Sequence, residues 1–130
     1  MGSDPPDYLC LRLDEYLPPG LNGKEGLIRS HWAVRKRAAR DLALLLAASH
    51  RGPLPSMHDP VRVTFTRLST KLMDWDNACA SFKLIGDALV KLQVLRDDSP
   101  DIIVEFIPAQ QKVKTRGEHA TIIEIETVPH

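Results

Sequence analysis

Alternation of hydrophobic and polar residues predicts β-strands in several parts of the chain. Residues 8–13 place three leucines on one face, and residues 61–68 alternate β-branched or aromatic side chains with polar ones. Two later runs, 102–107 and 120–127, are rich in β-branched residues and predict a pair of strands joined by a polar loop. We therefore expect four strands.

Apolar residues spaced three or four positions apart predict two helices. The first is expected over residues 31–49, with Ser30 as its N-cap, and the second over residues 77–92. Their buried stripes are expected to be Val34, Ala38, Leu42, Leu45 and Leu46 in the first helix, and Ala78, Phe82, Ile85, Leu89 and Leu92 in the second. The order β-α-β-α-β-β predicts an α/β (α+β) two-layer sandwich with the helices packed on a mixed sheet.

Length and composition favour one domain over residues 1–130, since the apolar fraction suffices for a single core. The N-terminus carries no apolar signal stretch, and no segment has the length needed to span a bilayer. We therefore expect a cytoplasmic protein that has no membrane partner. Cys10 and Cys79 form no CxxC pattern, so we expect reduced thiols and no zinc site.

The 17 basic and 17 acidic residues cancel, but they are unevenly distributed. Basic residues gather within 24–40, 62–71 and 112–116, and acidic residues gather between 74 and 101. Basic stripes beside an acidic pocket suit a metal-dependent enzyme that acts on a polyanion. Solvated helix faces are the alternative interpretation of the first group. The candidates for DNA phosphate contacts are Arg35, Lys36, Arg37, Arg40, Lys71, Lys114 and Arg116.

The acidic region reads Asp74-Trp75-Asp76-Asn77, then a helical stretch, then Asp97-Asp98-Ser99. Two such carboxylates at close range repel each other by roughly 4 kcal/mol at an effective dielectric near 20. Three converging carboxylates therefore imply a compensating cation, and a hard divalent ion such as Mg²⁺ or Mn²⁺ suits oxygen ligands.

Helix geometry predicts that Asp76, Lys83 and Asp87 lie within about 40° of one another, nearly opposite the core stripe. Taken singly, each motif also has a structural explanation. Asp74 or Asp76 could cap the second helix, and Asp98 could occupy a turn before Pro100. A ladder of i,i+4 ion pairs is the remaining alternative for the lysine and aspartate of the helix.

The order of these motifs resembles the RusA family of Holliday junction resolvases. The resemblance rests on Asp74-Trp75-Asp76-Asn77, Lys83, Asp87-Ala88-Leu89 and Asp97-Asp98-Ser99, with weaker matches at Leu17-Pro18-Pro19 and from Val113-Lys114-Thr115-Arg116-Gly117 to Glu126. Members of that family are Mg²⁺-dependent homodimeric endonucleases that bind four-way DNA junctions and nick two strands symmetrically. The resemblance thus implies branched DNA as the substrate, Mg²⁺ (with Mn²⁺ as a substitute) as the cofactor, and no small-molecule cofactor.

The resemblance places the catalytic metal ligands on Asp74, Asp76 and Asp98. The family's lysine usually follows the second aspartate by four residues, where this chain has Ala80, and the lysine comes three residues later at Lys83. Three residues are nearly one helical turn, so Lys83 keeps about the same face and shifts by roughly 4.5 Å along the axis. Lys83 is the expected phosphate-binding lysine. The substitute is Lys71, and Asp87 is expected at most to orient Lys83.

The sequence is also compatible with two other functions. A junction-binding or architectural protein could keep the fold and lack turnover because its lysine is displaced. A metal-dependent nucleotidyl or glycosyl transferase could also carry Asp-x-Asp, although no nucleotide-cradling glycine loop accompanies the motif. Trp32 and Trp75 could stack on unpaired bases or belong to the core.

Overall fold

The computed structural model describes residues 5–18 and 32–129, including side chains except those of residues 32–35 and 75–80. The expected order of strands and helices is confirmed. The elements are β1 (Tyr8–Asp14), α1 (Trp32–Ser49), β2 (Val61–Ser69), α2 (Trp75–Lys91), β3 (Ile103–Lys112), a 3₁₀ turn (Arg116–Glu118) and β4 (Ala120–Thr127). The predicted N-cap Ser30 and the loop around it lie outside the described residues.

The four strands form one mixed sheet in the order β1-β4-β2-β3. β2 pairs with β3 in parallel, and β4 runs antiparallel to both β1 and β2. The expected pairing of the last two strands is therefore wrong, because β2 lies between them. Pro108 lacks an N–H and suits β3 to the sheet edge, whereas Ile123 and Ile125 of β4 are fully buried, as is typical of a central strand.

The core lies between one face of the sheet and the two helices, as expected for a two-layer sandwich. Val61, Val63 and Phe65 alternate toward the helices, and the burial pattern of β1 alternates in the same way. Phe82 of α2 stacks edge to face on Phe106 of β3, with ring centroids 5.1 Å apart. The helices are thus held to the sheet by the alternation that predicted the strands.

The apolar stripe of α1 differs from the prediction at one position. Leu42 and Leu46 are fully buried as expected, but Leu45 is 43% exposed, and Ala39 and Ala43 are buried in its place. The helix contacts both β1 and α2, so its buried face follows positions 39, 42, 43 and 46. In α2, Ile85 and Leu89 are buried as predicted. The predicted stripe residues Val34 of α1 and Ala78 of α2 lie outside the described side chains.

Strand direction places several connections at one edge of the sheet. β1 and β2 are both antiparallel to β4 and hence parallel to each other, and β3 is parallel to β2. The chain must therefore cross back along α1 and along α2, so both helices begin where the strands end. We call this the carboxyl edge: the ends of β1, β2 and β3 with segments 70–74 and 113–119.

Within the described part of the chain, no helix is both long and apolar enough to cross a membrane.

Candidate metal and nucleic-acid site

Segment 70–74 carries Asp74 from the end of β2 to the start of α2, and side chains from two strands hold this segment. The side-chain oxygen of Gln110 accepts a hydrogen bond from the Met73 N–H at 2.8 Å, and its Nε2 donates to the Met73 carbonyl at 2.7 Å. From β2, Nη1 of Arg67 donates to the Lys71 carbonyl at 2.8 Å. Asp74 is therefore placed by contacts to both β2 and β3.

Further hydrogen bonds join this segment to its neighbours at the carboxyl edge. The Thr70 N–H donates to Nε2 of His119 at 3.2 Å, and the Val113 N–H donates to the Ser69 carbonyl at 2.9 Å. The carbonyl of His119 in turn accepts from the N–H of Glu15 at 2.6 Å. The three connections that follow β1, β2 and β3 are thus bonded into one unit.

Arg67 is half-buried, whereas Lys71, Lys114 and Arg116 at this edge are exposed. The Nε of Arg67 is buried and has no hydrogen-bond partner within the described portion of the chain. Burial lowers the pKa of its guanidinium, because desolvation disfavours the charged form. An arginine held in this way carries positive charge close to segment 70–74.

Several predicted DNA-contacting residues lie at the carboxyl edge with Asp74. Lys71 and Asp74 are exposed on segment 70–74, and Lys114 and Arg116 are exposed on segment 113–119. Lys36, Arg37 and Arg40 are exposed on the first half of α1, which begins at this edge, whereas the side chain of Arg35 lies outside the described residues. Three exposed acidic residues also lie at this edge, namely Asp14, Glu15 and Glu118. The edge therefore carries both positive and negative side chains.

Asp98 lies beside the second half of α2, whereas Asp74 lies just before the start of this helix. A Cβ built on Gly86 would come within 3.1 Å of the Cβ of Asp98 and 3.3 Å of its Oδ2, so the absence of a side chain at Gly86 allows the Asp98 carboxylate to lie against the helix. Gly86 is eleven residues past Trp75, which corresponds to about 16 Å along the helix axis. The start of α2 and the Asp98 carboxylate are thus separated along the helix.

The acidic neighbour of Asp98 is Asp87. The pKa of the Asp87 carboxyl is raised, first by burial and then by the charge of Asp98 and a hydrogen bond with it, while Lys83 and Lys91 act in the opposite direction. Lys83 is exposed, as predicted, and lies four residues before Asp87. The structure therefore brings Asp98 together with Asp87, which Lys83 also influences, and places Asp74 nearer the start of the helix.

The sequence predicts a metal site formed by Asp74, Asp76 and Asp98, and the structure describes two of these side chains, Asp74 and Asp98. Within the described side chains, no group of three His, Cys, Asp or Glu residues could hold a metal ion. The side chain of Asp76 lies outside the description, but its backbone is in the first turn of α2, two residues after Asp74. Mg²⁺ commonly takes one or two protein carboxylates with phosphate oxygens and water, so Asp74 and Asp76 suit it in ligand type. A ligand role for Asp98 stays a prediction that requires its carboxylate to leave Gly86.

Sequence reasoning did not identify Gln110, His119 or the structural contact of Arg67. Gln110 is one of two adjacent glutamines in an ordinary strand pattern, and only the register of β3 against β2 places it beside Met73. His119 similarly depends on the path of segment 113–119. No local motif signals either contact.

The groove at the opposite edge of the sheet contains none of the predicted site residues. It has a volume of about 690 Å³ and lies between the segment before β2 and the end of α2. Asp59 and Arg96 form an ion pair across it, with 2.7 Å between Nε and Oδ2.

Comparison with protein-family models and with curated proteins finds no match for this chain.

Proposed function

We propose that this protein is a Mg²⁺-dependent endonuclease that resolves four-way DNA junctions and acts as a homodimer. The choice of substrate follows from the resemblance of the ordered motifs at Asp74, Asp76, Lys83 and Asp98 to RusA-type resolvases. The α+β fold is compatible with this function, but it does not specify it, because one fold hosts many activities.

The observation that carries the proposal is the carboxyl edge. Asp74 lies there on segment 70–74, whose backbone is held at Met73 by Gln110 and at Lys71 by Arg67. The basic residues Lys114 and Arg116 lie on segment 113–119 of the same edge. Carboxylates that hold a hard cation need basic neighbours that hold the phosphate backbone when the substrate is DNA. Asp74 of the predicted acidic group therefore lies at the same edge as Lys71, Lys114 and Arg116 of the predicted basic group, whereas Asp98 lies farther along α2.

Each side chain has a specific part in the proposed reaction. Asp74 and Asp76 would hold Mg²⁺, which when bound supplies a more acidic water and stabilises charge on the phosphate oxygens. Lys71, Lys114 and Arg116 would hold the backbone phosphates on either side of the cleaved bond. Lys83 lies between the two acidic groups along α2, and long helical side chains lean toward the N-terminus, which is the direction of Asp74.

Paired cleavage is the reason for proposing a homodimer. One active site cuts one strand, so two symmetric nicks in a junction need two sites related by a twofold axis. Sedimentation of the free protein and of its complex with a junction measures this directly. A complex that nicks both strands with one copy of the chain would contradict the dimer.

The activity is tested by incubating the protein with a synthetic four-way junction in Mg²⁺ or in EDTA. We expect metal-dependent nicks that leave 5′-phosphate and 3′-hydroxyl ends. Asp74→Asn should reduce the nicking rate at least ~100-fold with little change in junction affinity. The reason is that losing a metal ligand should reduce activity more than losing a group that only orients the ligand. The matched control is Asp7→Asn, an exposed aspartate before β1, which should nick at the wild-type rate. A folded protein that binds the junction without metal-dependent nicking overturns the enzyme proposal.

A second function, junction binding without cleavage, is favoured by the position of Asp98 against Gly86. If that carboxylate does not reach the start of α2, the predicted set of ligands is incomplete. Asp76→Asn and Lys83→Ala separate the two functions. In an enzyme both variants lose nicking and keep affinity, whereas in a binding protein neither has nicking activity to lose.

A further inference from the structure

We propose that Gln110 is a positioning residue for the metal site, acting through Met73 on Asp74. This inference rests on the function proposed above and adds a residue that the motif pattern does not contain. Gln110 bonds both backbone groups of Met73, at 2.8 and 2.7 Å, and Met73 directly precedes Asp74. The amide therefore binds this residue as a neighbouring strand would.

The location of Gln110 makes these two bonds effective. It lies on β3, opposite Arg67 of β2 in the sheet register, and both of its bonds to Met73 are partly buried. Hydrogen bonds are electrostatically stronger in such surroundings than in water, and leaving the backbone groups unpaired there is costly. Since Arg67 holds the Lys71 carbonyl from the other strand, the path of the chain into Asp74 is fixed from two sides.

A carboxylate binds a divalent cation more tightly if it already has the required position before the cation binds. Groups that orient metal ligands typically contribute 10–100-fold in metal affinity or activity. Gln110 contacts neither the metal nor the DNA in this proposal. Its removal should therefore act on the metal affinity and leave the basic residues of the edge unaffected.

The test compares Gln110→Met with Gln111→Met. Methionine has nearly the same length as glutamine, but it has no N–H to donate to the Met73 carbonyl, and its sulfur is only a weak acceptor for the Met73 N–H. Gln111 is the adjacent residue of β3, is exposed and lies on the opposite side of the strand, so its variant controls for the composition of the strand. For each protein we would measure Mn²⁺ affinity without DNA by titration calorimetry, junction affinity in EDTA, nicking against Mg²⁺ concentration, and the melting temperature.

We expect Gln110→Met to weaken Mn²⁺ binding by about 10-fold or more. The Mg²⁺ concentration for half-maximal nicking should rise by a similar factor, while junction affinity in EDTA stays within about 2-fold of the wild type. Gln111→Met should match the wild type in all of these.

Three results overturn the inference, in distinguishable ways. If the wild type nicks the junction and Gln110→Met lowers only the melting temperature, with unchanged Mn²⁺ affinity, then Gln110 is structural and the proposed function stands. If both glutamine variants weaken Mn²⁺ binding equally, the effect is not that of the Met73 contact. If the wild type neither binds Mn²⁺ nor nicks, the proposed function fails together with the inference.

Discussion

Asp87 and Asp98 are two carboxylates brought together by a glycine. Because Gly86 has no side chain, Asp98 lies against α2. Burial of Asp87, and then the charge of Asp98, raise the pKa of the Asp87 carboxyl. The exposed face of Lys83 and Asp87 was predictable from helix periodicity. The contact with Asp98 was not, because it depends on how residues 92–102 return the chain to β3.

The raised pKa of Asp87 predicts a pH-dependent stability. A carboxyl whose pKa is higher in the folded state favours folding while it is protonated, and this contribution is lost as the pH rises above about 4. Asp87→Asn removes the ionisation and with it the repulsion. The melting temperature of Asp87→Asn relative to the wild type should therefore be higher at pH 7 than at pH 3.

The exposed Asp7, replaced by asparagine, serves as the control and should show no such change between the two pH values. A melting-temperature difference between Asp87→Asn and the wild type that is equal at pH 3 and pH 7 would argue against repulsion between Asp87 and Asp98. Asp98→Asn removes the other carboxylate of the pair. Its melting temperature relative to the wild type should therefore also be higher at pH 7 than at pH 3.

At the scale of elements, local patterns predicted which segments are helices and strands, and tertiary contacts decided the rest. β-branched runs indicated β3 and β4, but nothing local in them specifies that β2 lies between. The strand order depends instead on tertiary packing, with the helix α2 connecting β2 to β3 in parallel and β4 pairing with β1 and β2. Likewise, helical spacing allowed more than one buried stripe on α1, and its packing on β1 and α2 selected Ala39 and Ala43 over Leu45.

The stripe on α1 is tested by a pair of leucines at adjacent positions. Leu46 is 0% exposed and Leu45 is 43% exposed, so Leu46→Ala leaves a cavity and Leu45→Ala does not. We expect Leu46→Ala to lower the free energy of unfolding by about 2–5 kcal/mol and Leu45→Ala by less than about 1 kcal/mol. Urea denaturation measures both. Equal losses would mean that the helix presents a different face to the core.

At the scale of the whole molecule, the two crossovers through α1 and α2 determine which candidate site residues lie at the same edge of the sheet. Both helices begin at the edge where β1, β2 and β3 end, and the residues predicted to contact DNA lie on segments of that edge or on the first half of α1. Sequence alone could supply the candidate residues and their types. It could not supply their common edge, which depends on strand order and direction.

Basic side chains of segment 113–119 should contribute phosphate contacts to junction binding. Lys114→Ala and Arg116→Ala should each weaken binding about equally for different junction sequences, and each should reduce the slope of log affinity against log salt by about 1. Arg51→Ala, an exposed arginine after the end of α1, is the matched control and should leave the slope unchanged. Binding isotherms at several salt concentrations decide this. Equal effects of all three variants would remove the carboxyl edge as the DNA-binding surface.

The proposed function depends most on metal binding at the start of α2. Anomalous scattering from a crystal soaked in Mn²⁺ measures this most directly. We predict a Mn²⁺ peak at coordination distance from the Asp74 carboxylate, about 2.1 Å as for Mg²⁺, beside the first turn of α2. A peak only between Asp87 and Asp98, with none near Asp74, would contradict the account.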